Sequence, residues 1–411
     1  MTSAAPAAVT SAPDPAALDF VLRLGRGLHR YGYPAHRLEE TLVGVARRLG
    51  LEGQFFSMPT ALFASFGSAG EQRTFQIRVE PGAVELGRLA QLDAIGADVS
   101  SGQLPPGEGT RALDAVIDAP PPYGPFVTTV AFALTSAAAA RFFGGGLREI
   151  AVAAAIGLGT GAIAALTGRV PGLGRVFEPL AAAVAAFVAV IAASLIGPLS
   201  GYTATVAGLI VLIPGFPLTV AMIELATRNL VSGTARLAGA GGTFLAIGFG
   251  FALGTRLAGF LVGVPVETEP IALPAWTEYL ALLAAPIGFT VLLRASARDT
   301  LWIGLVGGLS FAGTRLGSIF LGPELGAFVG AVGLGVASNA YGRALRRLEV
   351  VPLVPGMLLI VPGSLGFRSL SSLVGGDTLP GVEAAFRMTL ITVSLATGIL
   401  FANVLLPARR S

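Results

Sequence analysis

Long apolar stretches alternate with short polar segments over the last two thirds of the chain. Each stretch is close to the roughly 20 residues that a helix needs to cross a bilayer. The pattern predicts a polytopic α-helical membrane protein with about ten transmembrane helices. The predicted cores are residues 126–143, 149–167, 177–197, 203–225, 237–262, 274–293, 300–318, 323–343, 351–373 and 386–406.

The segment before these stretches has the pattern of a small soluble domain. Apolar residues recur there at helical spacing, and short runs rich in Phe, Ile and Val have the composition of strands. We predict a disordered lead over residues 1–17 and an N-terminal α+β domain over 18–122 that ends in a proline-rich linker. The predicted elements are helices over 14–30, 34–49, 84–97 and 109–117, and a strand pair formed by 54–66 and 73–79.

Two apolar stretches carry the same motif. Residues 208–215 are Gly-Leu-Ile-Val-Leu-Ile-Pro-Gly and residues 356–363 are Gly-Met-Leu-Leu-Ile-Val-Pro-Gly, at a constant shift of 148 positions. Proline lacks a backbone donor and clashes with the preceding turn, so each span is expected to be kinked or broken there. A repeated helix breaker in mid-span is typical of many secondary transporters.

The two motif-bearing stretches are the fourth and the ninth predicted spans. Five crossings separate them, and because this number is odd, equivalent spans run in opposite directions through the bilayer. We therefore predict two inverted five-helix repeats, over residues 123–262 and 263–411. Such a pair has two conformations of similar energy that open to opposite sides, which is the geometric basis of alternating access.

The arginines predict the orientation. With the N-terminal domain in the cytoplasm, arginine-rich connections such as 169–175, 228–236 and 343–347 lie on the cytoplasmic side, while many carboxylates lie on the other. Cytoplasmic loops of membrane proteins carry such an excess of positive charge. We predict a multi-pass protein of the cell inner membrane with both termini cytoplasmic.

Composition excludes several kinds of chemistry. The chain is 53% hydrophobic and 12% charged, and it contains no cysteine, which excludes disulfides, thiolate nucleophiles and cysteine metal sites. All 27 basic residues are arginine, so neither a Walker A lysine nor a Schiff-base lysine is present. We predict no cofactor and no metal. Because the arginines are scattered between apolar segments, we also predict no nucleic-acid partner.

The Pro-Gly motifs are the predicted substrate site. A break in mid-span exposes backbone groups, which are tolerated at membrane depth only where they line a polar cavity or are buried in protein. The start of each half-helix can hold a carboxylate through free amides and the helix dipole. A kink that only shapes helix packing is the alternative. The predicted substrate-binding residues are Pro214, Gly215, Phe216, Thr219, Pro362, Gly363 and Ser364.

Glu224 is the predicted proton-coupling residue. It lies ten residues after Pro214, near the cytoplasmic end of its span. Acids embedded in membranes usually face a polar interior and often relay protons. The alternative is a structural salt bridge to Arg228, four residues further along the helix.

An enzymatic alternative rests on the N-terminal domain. His29, His36, Arg37 and Glu39 cluster there, and Ser57, Thr60 and Ser65 are available as nucleophiles. A hydrolase needs such a nucleophile beside a base. The spacing matches no catalytic signature, so we predict that the protein is not an enzyme.

Four segments resemble the threonine/serine exporter family. They are Gly32–Glu39 (Gly-Tyr-Pro-Ala-His-Arg-Leu-Glu), Val45–Gly50, Leu212–Leu218 (Leu-Ile-Pro-Gly-Phe-Pro-Leu) and Val361–Arg368 (Val-Pro-Gly-Ser-Leu-Gly-Phe-Arg). The resemblance extends from about residue 18 to the end of the chain. It implies export of small hydroxy amino acids across the inner membrane, driven by the proton gradient.

Two other functions stay open from the sequence. Two-chain relatives of that family resemble dicarboxylate (succinate) exporters, so the fold does not decide the solute. Glu224 or freed carbonyls could accept the ammonium of an amino acid, whereas Arg368 or Arg228 could serve a dianion. A membrane-bound enzyme with catalysis in the N-terminal domain is the second alternative. The predicted partners are a small-molecule substrate and the lipid bilayer, and a homo-oligomer is left open.

Overall fold

The computed structural model describes residues 14–67, 70–80, 82–263 and 268–409. Contacts divide the chain into two compact units. One comprises the described residues up to Ala83 together with Arg88–Ala119, and the other comprises Val84–Gly87 and Pro120–Arg409. Most of the predicted lead lies outside the described residues. Its last three residues form the first turn of a helix, since the Asp14 side chain accepts a hydrogen bond from the Ala16 amide and caps that turn.

The N-terminal unit combines helices with a three-stranded sheet. Helix α1 contributes Phe20, Leu24 and Leu28 to the core, all fully buried. The elements are α1 Pro15–Arg30, α2 Ala35–Arg48, β1 Gly53–Met58, β2 Ala61–Phe66, β3 Arg73–Arg78, α3 Leu86–Ser100 and α4 Pro106–Asp118.

The predicted strand pair is wrong in one respect. The run 54–66 is not one strand, because the chain turns between Met58 and Ala61 and folds into an antiparallel hairpin of β1 and β2. Strand β3 then pairs antiparallel with β2, which becomes the central strand. The run was predicted as a single strand because its Phe-rich composition has a strong β propensity, and the two-residue turn within it was not recognised.

The membrane unit consists of helices whose bounds follow the predicted spans closely. They are α5 Pro125–Phe142, α6 Leu147–Thr167, α7 Phe177–Ile196, α8 Gly201–Gly208, α9 Gly215–Ala226, α10 Leu230–Val262, α11 Thr277–Leu292, α12 Thr300–Leu321, α13 Pro323–Leu345, α14 Val350–Ile360, α15 Gly363–Gly375 and α16 Thr378–Leu405.

Eight helical segments in the described part of the chain are long and apolar enough to cross a bilayer, with α14 and α15 taken as one segment. Helices α9 and α11 are shorter apolar helices. The protein is therefore a polytopic helical membrane protein. The sixth predicted span corresponds to α11 alone, and the fourth is divided between α8 and α9.

Both motif-bearing spans are broken at the Pro-Gly pair. Helix α8 ends at Gly208 and α9 begins at Gly215, while α14 ends at Ile360 and α15 begins at Gly363. Pro214 has φ −80° and ψ 43°, and Pro362 has φ −82° and ψ 37°, so the backbone leaves the first segment in the same way in both halves. These proline carbonyls then accept the first hydrogen bonds of the next helix.

The match extends to the helices that follow. Helix α10 begins at Leu230 and α16 begins at Thr378, again 148 positions apart. Gly233 of α10 packs against Leu225 and the Ala221 carbonyl, and Gly381 of α16 packs against Leu373 and the Ser369 carbonyl. Each residue of the Gly381 contact lies 148 positions after the corresponding residue of the Gly233 contact. The two half-helices are therefore held against the next helix by the same interface.

Candidate functional site

The two Pro-Gly pairs contact each other within the membrane unit. A Cβ built on Gly215 would lie 3.4 Å from the Gly363 Cα, and one built on Gly363 would lie 3.8 Å from the Gly215 Cα. A Cβ on Gly215 would also lie 2.0 Å from the Val361 Cγ1, and one on Gly363 would lie 2.8 Å from the Ile213 Cγ2. Ile213 and Val361 are themselves equivalent, so the crossing has the form of a two-fold contact.

The sequence predicts that Gly215 and Gly363 bind the substrate. In the structure both glycines are buried, and the absence of a side chain lets each one pack against the equivalent turn of the other half. Gly215 and Gly363 are thus packing residues of the crossing.

Each half-helix is embedded in the apolar core of the other half of the membrane unit. Ile223 and Phe216 of α9 pack in a cluster with Leu334, Met357 and Leu395. Phe367 of α15 packs in another cluster, whose members include Leu209, Ile213 and Phe244. Each half-helix therefore contributes side chains to the core of the opposite half.

The polar groups predicted at the breaks have divided roles. The Thr219 side chain is fully buried, and its hydroxyl donates to the Gly215 carbonyl at 3.2 Å, so it serves its own helix. Pro217 has no N–H group, and the Leu218 amide donates to the Pro214 carbonyl. In the second half, the Leu365 and Gly366 amides donate to the Pro362 carbonyl. The amides of Phe216 and Ser364 remain the candidate donors to a solute.

Glu224 forms a buried ion pair, with a different partner from the one predicted. Its carboxylate is fully buried and accepts two hydrogen bonds from Arg236 of α10, at 3.0 Å from Nε and 3.1 Å from Nη2. Arg228 is exposed just beyond the end of α9, with φ 64°. Sequence spacing favoured Arg228, four residues after Glu224. The helix ends before Arg228, however, and the chain then turns, so that Arg236 lies beside Glu224.

The ion pair has no equivalent in the second half. Ser372 and Ala384 occupy the positions equivalent to Glu224 and Arg236. Bidentate arginine–carboxylate pairs are strong and geometrically specific. The two halves therefore share a backbone at this point and differ in their charge.

A second buried acid was missed by the sequence argument. Glu149 accepts a hydrogen bond from the Gly146 amide at 2.8 Å, which caps α6, and one from the Ser200 amide at 2.9 Å, directly before α8. In the second half, Asp299 accepts from Arg347 at 2.8 Å, before α14. Each acid thus fixes the start of a broken span. The signal available in the sequence was the position of each acid at a helix start.

The histidine cluster of the N-terminal unit ties its elements together. The His29 Nε2 donates to the Met58 carbonyl at 2.6 Å, and Glu39 accepts from the Ser57 amide at 2.7 Å. The Ser65 and Thr74 hydroxyls form a cross-strand hydrogen bond. Helices α1 and α2 are joined in this way to the sheet. Among the described residues, no group of three or more His, Asp or Glu side chains is placed to hold a metal ion.

Comparison with protein families gives a match over most of the chain. One model, of the threonine/serine exporter (ThrE) family, matches residues 19–258, and a second ThrE exporter model matches residues 278–405. Together they include both Pro-Gly breaks and Glu224.

Several fungal proteins named pheromone-regulated membrane protein 10 are similar to the chain. The protein of Zygosaccharomyces rouxii is 29% identical over 409 residues, which covers 92% of this chain and 41% of the relative. The Candida albicans protein is 30% identical, with 87% and 33% covered. The Saccharomyces cerevisiae protein is 28% identical, with 93% and 53% covered. The chain thus spans between a third and about half of the length of these relatives. No solved structure matches the chain.

Proposed function

Because the chain belongs to the threonine/serine exporter family, we propose that it exports threonine and serine across the cell inner membrane by proton-coupled alternating access. The family is one of membrane exporters, which favours transport over an enzymatic activity. The solute binds beside the crossing of α9 and α15. The candidate groups there are the amides of Phe216 and Ser364 and the Ser364 hydroxyl.

The observation that carries this proposal is the contact of Gly215 with Gly363. It joins the starts of two half-helices that belong to equivalent parts of the chain. In transporters built from inverted repeats, discontinuous helices meet near the midplane, and their amino-terminal ends bind the substrate carboxylate. The matched interfaces of α9 with α10 and of α15 with α16 support such a repeat over 123–262 and 263–411.

The ion pair of Glu224 and Arg236 supplies a coupling step. Protonation of Glu224 removes its charge and weakens its attraction to Arg236, which lets α9 part from α10. Deprotonation restores the pair and closes that side. A proton bound from one side of the membrane and released on the other therefore drives the two conformations in order.

The orientation belongs to the same proposal. With ten crossings and both termini cytoplasmic, Glu224 lies toward the cytoplasm and the segment after α10 lies outside. Because the chain contains no cysteine, single introduced cysteines report the topology directly. A membrane-impermeant thiol reagent on intact cells should label Ile271→Cys and spare Ser101→Cys. Labelling of Ser101→Cys would contradict the orientation.

Counterflow in proteoliposomes tests the function. Proteoliposomes that contain the purified chain and are loaded with unlabelled solute should accumulate labelled threonine and serine against their gradients. They should not accumulate labelled succinate. Accumulation of succinate alone would favour the dicarboxylate alternative, which the exposed Arg228 and Arg368 make chemically reasonable. No counterflow with any of the three would contradict the proposal. A chain shortened to residues 120–411 that still carries threonine would exclude catalysis by the N-terminal unit as the basis of activity.

A further inference from the structure

One face of α15 carries a row of polar side chains. Ser364, Arg368, Ser371 and Ser372 recur at the spacing that places residues on the same side of a helix. The row begins one residue after the Pro-Gly break, inside a segment apolar enough to cross a bilayer. Polar side chains at membrane depth usually face a water-filled cavity or the bundle interior. This face of α15 therefore has the character of a solute path.

Arg368 is the charged member of this row, and it is exposed. Several other arginines of the membrane unit form ion pairs, as Arg141 does with Glu278 and Arg387 with Glu383. Within the described part of the chain, no carboxylate lies within ion-pair distance of the Arg368 guanidinium. The residue lies about 7.5 Å along the helix from Gly363, given a rise of about 1.5 Å per residue. An arginine in this position requires water or an anion.

Tyr202 of α8 brings a hydroxyl to the same place. It lies near the Ser371 side chain and within electrostatic reach of Arg368. The Ser371 hydroxyl donates to the Arg368 carbonyl at 3.0 Å. The Tyr202 ring stacks at 5.9 Å from that of Phe367, which in turn lies 5.1 Å from that of Phe251. Arg368 thus lies next to a group of aromatic rings formed by Tyr202, Phe367 and Phe251.

We propose that the Arg368 guanidinium forms an outer subsite for the carboxylate of the transported solute, beside Tyr202 and five residues along α15 from Gly363. The inference rests on the proposed export function and adds a specific subsite to it. A guanidinium fork matches a carboxylate through two parallel hydrogen bonds. Val220 occupies the equivalent position of α9, so the subsite exists in one half only. The subsite therefore binds the solute on the side of the membrane unit where α15 is exposed.

A lipid phosphate could present the same anionic chemistry to Arg368. The two sources are separated by reconstituting the full chain in phosphatidylcholine alone, with no anionic lipid. Three variants are compared with the parent. R368Q removes the charge, R368K keeps the charge without the fork, and R256Q removes an exposed arginine of α10 as the matched control.

The measurement is the threonine concentration that gives half-maximal counterflow, with threonine and threonine amide as competitors. R368Q should raise this concentration about tenfold or more, because the loss of a charge-assisted hydrogen bond weakens binding by a factor of about ten or more. R368K should raise it about threefold, and R256Q should leave it unchanged. With the parent, threonine should compete more strongly than threonine amide, and with R368Q this difference should disappear. A merely structural role of Arg368 would not remove the difference.

An unchanged half-saturation in R368Q, or an unchanged preference for threonine over its amide, would overturn the proposal while leaving export intact. A parent that requires anionic lipid, combined with an unaffected R368Q, would assign the site to a headgroup and also overturn it. Absence of counterflow in the parent, both in phosphatidylcholine alone and with anionic lipid added, would instead overturn the export function itself, and this subsite with it.

Discussion

Helices α9 and α15 start with the same backbone turn and end in different surroundings. Along α9, Val220, Ile223 and Glu224 are buried, and the acid is paired with Arg236. Along α15, the equivalent positions hold Arg368, Ser371 and Ser372, which are exposed or half-buried. One half-helix is closed by apolar packing and an ion pair, whereas the other presents a polar row.

We infer that this difference gives the proposed repeats a direction. A symmetric pair of half-helices can exchange conformations, but by itself it cannot distinguish the two sides of a membrane. Here the crossing of Gly215 and Gly363 keeps the symmetric geometry, and the residues one to three turns further on differ in charge and polarity. We infer that the α9 side closes and couples, while the α15 side binds the solute.

Substitution at the ion pair should have the largest effect on the closed side. Glu224→Gln leaves Arg236 without its carboxylate and removes the proposed proton-coupling residue, so uphill efflux should be abolished while exchange is partly retained. Because the Arg236 side chain is 30% exposed and water can solvate it, the cost should be smaller than the roughly 3 kcal/mol of a fully buried pair, and the apparent melting temperature should fall moderately. The double variant Glu224→Gln, Arg236→Gln should recover stability without recovering uphill efflux.

Glu383→Gln is the matched control, because Glu383 pairs with Arg387 on an exposed surface and its side chain is 61% exposed. Exposed pairs contribute about 1 kcal/mol or less, so this variant should behave like the parent. Unchanged uphill efflux in Glu224→Gln would remove the acid from the coupling mechanism and leave it a structural role only.

Side chains added at the crossing should separate packing from binding. Gly215→Ala places a Cβ 2.0 Å from the Val361 Cγ1, so it should destabilise the protein by about 3 kcal/mol. Gly363→Ala meets the Ile213 Cγ2 at 2.8 Å and should cost less. Thermal unfolding in detergent would rank the two. Adding Val361→Ala to Gly215→Ala should restore much of the loss, and a lack of rescue would contradict the contact as described.

The prolines should have the smallest effect. Pro214→Ala and Pro362→Ala restore an amide donor and remove a fixed φ, and these changes oppose each other at about 1 kcal/mol each. We expect apparent melting temperatures within a few degrees of the parent and a modest loss of transport rate. A collapse of either variant would mean that the proline itself, and not the glycine crossing, determines the break.

Much of the architecture follows from the sequence, because long apolar runs and a Pro-Gly pair have few alternatives in a membrane. The helix bounds from α5 to α16 and the two breaks are of this kind. The hairpin of β1 and β2 and the partner of Glu224 were not predicted correctly, since both depend on where a chain turns. The polar row of α15 was visible in the sequence, but the placing of Tyr202 beside it required the fold.

Cysteine accessibility at one pair of equivalent positions tests the central claim most directly. The variants Ser371→Cys and Ile223→Cys each contain a single cysteine, because the chain has none of its own. Each variant is placed in oriented membranes and treated with a thiol reagent, first from one side and then from the other. The account predicts that Ser371→Cys reacts from outside and Ile223→Cys does not, and that threonine changes the two reactivities in opposite directions. Equal reactivity of the two positions, or no response to threonine, would contradict the assignment of α15 to the open side and α9 to the closed side.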